Sequence, residues 1–268
     1  MNPGNIGAVF FFEWQRALTP ARVVWWFILT LFPIFIITLA RLTFNTMPRY
    51  EHRPPGESWP QQEPWLLFLF ALIPMLVSML GSLLWTAPVI SSELERQSWT
   101  YLAVRPHGKT ALLLGKYLAA VTWVLSAALL GLSVCVVITQ AEDPWHLWST
   151  IAKLACISCP AYAALYMALG TLFPQRAMAI AVAYTLVFEL VVSWVPAIIN
   201  KLTVQYRLLA LLQDWGSITF GNEMLILFGY SPAWIHLSML AGSTACLLIL
   251  SIVMVNLREL TTTNGTEG

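Results

Sequence analysis

The residues of this chain that could do chemistry are few, and the most suggestive of them sit together. Ala103–Thr110 reads AVRPHGKT. That order fits a relaxed phosphate-binding pattern of Ala or Gly, four residues, then Gly-Lys-Thr. In a working loop of this kind, backbone N–H groups at a helix N-terminus cradle the phosphates, the Lys reaches their oxygens and the hydroxyl holds Mg²⁺. Such a loop follows a buried strand, and a further apolar strand ends in an Asp for the metal. Neither requirement is met here. The insert carrying AVRPHGKT is short, flanked by long apolar runs, and leaves no room for a nucleotide-binding domain of typical size. Asp143 and Asp214 are the only Asp residues, and both fall on the side expected to face outward. The pattern is therefore expected to be incidental, with ATP and Mg²⁺, if used, bound by another chain.

A second group is Glu189, in the middle of an apolar run. A carboxylate at membrane depth costs on the order of 2.5–3.5 kcal/mol on insertion scales, so it must be protonated, paired or turned to a wet cavity. Thr185 and Ser193 lie four residues to either side, which puts three polar groups on one helix face. Two readings stand side by side: a cavity wall or gate, and a structural hydrogen bond between helices. Cys156-x-x-Cys159 invites a redox or metal reading, but it lies in an apolar helix without a nearby His, where small Cys side chains pack as hydrophobes. No metal site is expected. The four His (His52, His107, His146 and His236) do not converge, and neither His-Glu-x-x-His nor Gly-x-Ser-x-Gly occurs. No catalytic residue is assigned, because catalysis needs converging groups.

The elements that must position these residues are membrane helices. Of the 268 residues, 58% are hydrophobic and 10% charged, with a mean hydropathy of +0.71, whereas soluble domains carry roughly 25% charged residues. A net charge of +1 argues against a nucleic-acid partner. Thirteen Trp suit rings placed at headgroup level. The four Cys all fall in apolar segments, not in a secreted disulfide framework, and the N-terminus lacks the signature of a cleavable signal. A span needs roughly 20 mainly apolar residues. Six segments qualify, at about 23–40, 65–90, 111–139, 150–173, 178–199 and 233–255. The expectation is an all-α membrane protein of one transmembrane domain over 1–268, with kinks at Pro33, Pro74 and Pro160. Residues at about 5–18 read as a helix lying in the inner interface, ended by Thr19-Pro20. TVQYRLLALLQDW and EMLILFGY, between spans five and six, read as short helices at the outer face. Ala155, Cys159, Ala163 and Gly170 form a small-residue stripe on span four, and Ser78 and Ser82 do the same on span two, both suited to close packing. Lys116 and Lys153 near span ends are expected to snorkel to the headgroups. With the N-terminus inside, eight Lys and Arg fall on the inner side and six on the outer. The positive-inside rule then places both termini in the cytoplasm, in a multi-pass inner-membrane protein.

Between spans two and three lies SSELERQSWTYLAVRPHGKT, Ser91–Thr110, and LLLGK follows it. Trp99, Leu102 and Ala103 recur at i, i+3 and i+4 and form one apolar stripe. Ser98 can cap a helix starting at Trp99, and Pro106 stops it. A short helix of this kind fits a groove on a soluble partner. The segment resembles the cytoplasmic insert of ABC-2 type transporter permeases. Glu93 and Glu95 stand for the family's acidic patch, Leu102 for its hydrophobic turn, Arg105-Pro106 for its end, and Leu114-Gly115-Lys116 for the start of the next span. Gln97 and Ser98 replace the usual Gly and Thr, and Thr100 stands where an acidic residue is common. The resemblance implies the permease subunit of an ATP-driven exporter. Glu93, Glu95, Arg96, Ser98, Trp99, Leu102, Arg105 and Pro106 would then meet a separate ABC ATPase, with Gly115 and Lys116 opening the following span. A second copy or a homologous permease would complete the path, as in a homodimer, among membrane lipids. A non-transporting scaffold or receptor, and less favourably an intramembrane enzyme, are the competing readings.

Overall fold

The computed structural model describes residues 3–46, 62–95, 108–191, 203–216 and 232–257. Among these residues every regular element is helical, as lipid requires of chains whose backbone groups must be satisfied within the span. Helix α1 (Pro3–Ala17) ends just before Thr19, and α2 (Pro20–Thr46) opens with Pro20 in its first turn, where the missing N–H has no intrahelical partner to lose. The N-terminal helix is thus separate from the first span, as expected. The second span is a column of α3 (Gln62–Phe70), a π-helical segment (Ala71–Val77) and α4 (Ser78–Thr86). Pro74 lies inside the π segment, where its lost donor widens the ladder. Ser78 Oγ donates to the Ile73 carbonyl at 3.1 Å. A short α5 (Ser91–Glu95) begins the insert.

Helix α6 (Gly108–Thr139) starts inside the insert, three residues before the expected span. Helix α7 (Pro144–Leu172) starts six residues earlier than the expected 150. Its start is set by Asp143, whose Oδ1 accepts from His146 N at 3.0 Å, and by Pro144 in the first helical position, a cap-plus-proline signal readable in the sequence. The turn before it holds Gln140 at φ 48°. A four-residue turn leads to α8 (Ala177–Tyr184), continued by a second π segment (Thr185–Val191). Residues 192–202, the rest of the expected fifth span, lie outside the described residues. Helix α9 (Val204–Gly216) matches the first of the two expected short helices; the second also lies outside the described residues. Helix α10 (Ala233–Leu257) closes the described chain.

Among the described residues five helical stretches are long and apolar enough to cross a membrane: Pro20–Thr43, Pro64–Glu93, Gly108–Thr139, Pro144–Leu172 and Ala233–Leu257. The apolar stretch Ala177–Glu189 is shorter. Helix α7 occupies the centre, in contact with α4, α6, α9 and α10. Its small residues explain the closeness. Ala155, Cys159 and Ala163 are fully buried. A Cβ on Gly170 would stand 2.2 Å from the Ala87 carbonyl oxygen. Opposite them, Ser158 Oγ donates to Ser78 Oγ at 2.9 Å, Cys159 Sγ donates to Ser78 Oγ at 3.3 Å and Ser82 Oγ donates to the Cys159 carbonyl at 3.4 Å. The two stripes expected on spans two and four therefore face each other. Cys159 is buried in that seam while Cys156 is exposed, so the pair splits between two faces of α7. Helix α2, by contrast, exposes Phe27, Leu31 and Phe35, and α10 exposes Trp234, Met239 and Ile249, surfaces suited to lipid or to another membrane helix.

Candidate functional site

The bundle has two ends. One carries α1, α5, the start of α6, the α7–α8 turn and the end of α10. The other carries the α6–α7 turn and α9. Each holds one constellation of polar residues.

At the insert end, Glu93 on α5 and Lys116 on α6 form an ion pair, Nζ to Oε1 at 2.5 Å. Lys116 Nζ also donates to the Val89 carbonyl at 3.3 Å. Glu93 is 3% and Lys116 8% exposed. A lone buried charge is costly, and each member needs the other. Sequence reasoning placed Glu93 in the acidic patch of the insert and expected Lys116 to snorkel. The structure turns both inward, across 23 positions of sequence, so that no helical periodicity links them. Lys153, at the other end, is exposed and stands 5.9 Å over the Trp215 ring, as a span-end anchor does. Gly115 has a reason of its own: a Cβ there would meet Val9 Cγ1 of α1 at 2.6 Å and Phe10 N at 3.2 Å. The Gly-Lys pair thus seats α1 with one residue and holds the base of the insert with the next. Glu95 ends α5. Arg96, Ser98, Trp99, Leu102, Arg105 and Pro106 lie outside the described residues. Gly108, Lys109 and Thr110 form the first turn of α6, a membrane helix, and Thr110 Oγ1 accepts from Asn256 Nδ2 at 3.4 Å. Asp143 and Asp214 sit at the other end of the bundle.

Towards the α9 end, Glu189 is fully buried in the second π segment. Its carboxylate meets the N-terminus of α9, accepting from Val204 N at 3.4 Å and from Gln205 N at 3.2 Å. Tyr162 Oη donates to it at 3.3 Å, and the Tyr184 hydroxyl hydrogen-bonds it as well. The first-turn N–H groups of a helix favour negative charge. Thr203 Oγ1 accepts from Tyr206 N at 3.3 Å and completes the cap. Thr185 is buried beside Glu189 and shares a 2.7 Å hydrogen bond with Tyr166. Gln205 Nε2 donates to Met75 Sδ at 3.3 Å, which brings the first π segment to the same hub. Glu189 and Thr185 thus come together as their spacing predicts, whereas Ser193 lies outside the described residues. Tyr162, Tyr166 and the α9 N-terminus were not singled out from sequence. The signals were present: Tyr162 and Tyr166 at i, i+4 on one face of α7, and Thr203 just ahead of an amphipathic run.

Among the described residues no group of three His, Cys, Asp or Glu could hold a metal ion. A family model described as ABC-2 family transporter protein matches residues 10–257. No curated protein matches the chain.

Proposed function

The chain belongs to the ABC-2 family of transporter proteins, multi-pass membrane components of transport rather than enzymes, and from this premise we propose that it is the permease subunit of an ATP-driven exporter. A separate ABC ATPase binds ATP and Mg²⁺ and docks on the insert through Arg96, Ser98, Trp99, Leu102, Arg105 and Pro106. The segment 178–199 completes a sixth span, and a second copy of the chain, or a homologous permease, completes the translocation path. The protein resides in the cytoplasmic membrane with both termini inside.

The observation that carries this reading is the Glu93–Lys116 pair. It clamps the start of the insert to the third span, 23 residues further on. A docking helix on an unclamped loop would dissipate a push in loop motion. Clamped at its base, the insert passes displacement to α4 and α6 together. Glu189, capping α9 while hydrogen-bonded to α7, supplies a second polar joint at the other end of the same bundle, a position suited to a gate on the path.

The test is reconstitution. The chain is purified with the ATPase subunit encoded next to it, and complex formation and ATP turnover are measured with and without Trp99→Ala and Leu102→Ala. The expected result is a stable complex whose ATP turnover depends on the permease, weakened by both substitutions. Failure of the chain to associate with any ABC ATPase would sink the reading and return the scaffold or receptor alternative.

A further inference from the structure

One residue of α9 reaches two spans at once. The backbone N–H of Gln205 donates to Glu189 Oε2 at 3.2 Å, and its side-chain Nε2 donates to Met75 Sδ at 3.3 Å. Glu189 belongs to the second π segment and Met75 to the first. Gln205 is 6% exposed, so bulk water does not stand in for its partners.

A π turn holds one residue more than an α turn, and such turns gather where helices rearrange. In the first segment Pro74 brings no N–H to the ladder, and Ser78 Oγ bonds the Ile73 carbonyl five residues back. The second is held from outside, by Tyr166 on Thr185 and by Tyr162 on Glu189. Passing the extra residue of a π turn along its helix moves the turns between by roughly one residue's rise, ~1.5 Å. A bond of 3.3 Å to sulfur either follows such a movement or breaks. The thioether is a weak acceptor on a flexible side chain, so the joint is easily broken and remade. We infer that Gln205 couples the two π segments: it is a positioning residue that sets Glu189 according to the state of the second span. That span runs from Pro64 to Glu93, one member of the clamp with Lys116. Resting on the permease reading above, movement entering at the insert reaches Met75 along the second span. Gln205 passes it to the first turn of α9, whose N–H groups hold Glu189.

The full chain is reconstituted in lipid nanodiscs, and amide hydrogen exchange is followed by mass spectrometry in peptides covering 203–208. Met75→Leu keeps the volume and removes the acceptor. Exchange in the first turn of α9 is expected to rise at least about threefold. In Gln205→Leu, the same change at Met75 should add nothing, because the bond is already gone. Met75→Gln puts an amide oxygen in reach of Gln205 Nε2 and should restore slow exchange, which a packing role alone does not explain. Met79→Leu, at a buried methionine on α4, should leave α9 as in wild type. If Gln205→Leu does not yield monodisperse protein, Gln205→Asn, one carbon shorter, takes its place. Exchange in 203–208 indifferent to Met75→Leu, or additive effects of the two substitutions, overturns the proposal whether or not an ATPase binds. A second arm uses the complex with the ATPase, trapped with vanadate. Trapping should speed exchange in 203–208 in wild type and not in Gln205→Leu. No response in wild type overturns the role of Gln205 in setting Glu189 during turnover. Failure to form the complex sinks the permease reading, and the first arm then decides the coupling by itself.

Discussion

At the scale of single residues, the two polar constellations differ in what they ask of each member. Lys116 has a carboxylate partner and a carbonyl, and little water. Lys116→Met strands Glu93 as a buried charge and is expected to destabilise the protein by about 3–5 kcal/mol, the usual cost of breaking a buried pair from one side. Replacing both, Glu93→Gln with Lys116→Met, should recover most of that loss. Thermal unfolding of the solubilised variants decides it, and additive losses would mean the two residues are not coupled. Glu189 is held by hydrogen-bond donors. In Glu189→Gln, the amide NH₂ would face one of the Val204 and Gln205 N–H groups, which bond different oxygens of the carboxylate, where an acceptor stood. Export is expected to fall at least about tenfold, since a hydrogen bond to a charged group contributes about 1.5–3 kcal/mol, while the complex with the ATPase still assembles. Export equal to wild type would leave the carboxylate with a structural role only.

Elements explain why some of this was legible in the sequence and some was not. Run length alone locates the long spans, because lipid demands about 20 apolar residues whatever they contact. The small-residue stripes on α4 and α7 were readable because their spacing is helical, and they do face each other. The π segment at Pro74 was foreshadowed by a missing donor, but nothing in TLVFELV announces the one that holds Glu189. The Glu93–Lys116 pair was hidden because it joins two elements across the insert, and pairing of that kind has no period. The seam between α4 and α7 offers its own tests. Gly170→Ala pushes a methyl into the Ala87 carbonyl, a backbone atom that cannot rotate away. It should cost about 1–3 kcal/mol by overpacking, measured as a lowered unfolding temperature. Ser78→Cys places a thiol where the Ser oxygen stands 3.3 Å from Cys159 Sγ. Oxidation should then cross-link α4 to α7, seen as a shift in electrophoretic mobility that reduction reverses. No cross-link under oxidant would mean that the seam holds the two sulfurs out of bonding geometry.

For the whole molecule, orientation is the statement with the widest reach, since it decides which end an ATPase can touch. In a background with the four native Cys replaced, His107→Cys in the insert should react with an impermeant maleimide only after the cells are opened. His52→Cys, between spans one and two, should react in intact cells. The reverse pattern would turn the protein over and remove the insert from the ATPase. The uneven burial of the helices has a further consequence, for how the protein is made. Helix α2 is apolar nearly all round and packs mainly on α6, so it can leave the translocon alone and wait in lipid. Helix α7 carries Ser158, Tyr162, Tyr166 and Lys153; Ser158 finds its partner on α4, and Tyr162 and Tyr166 find theirs on the second π segment. It is a poor solitary span, since one of these partners precedes it in the chain and two follow it. The order of the helices along the chain is thus also an order of dependence during biogenesis: α7 can meet the Ser78 seam as it arrives, but its two Tyr hydroxyls wait for the segment that comes after.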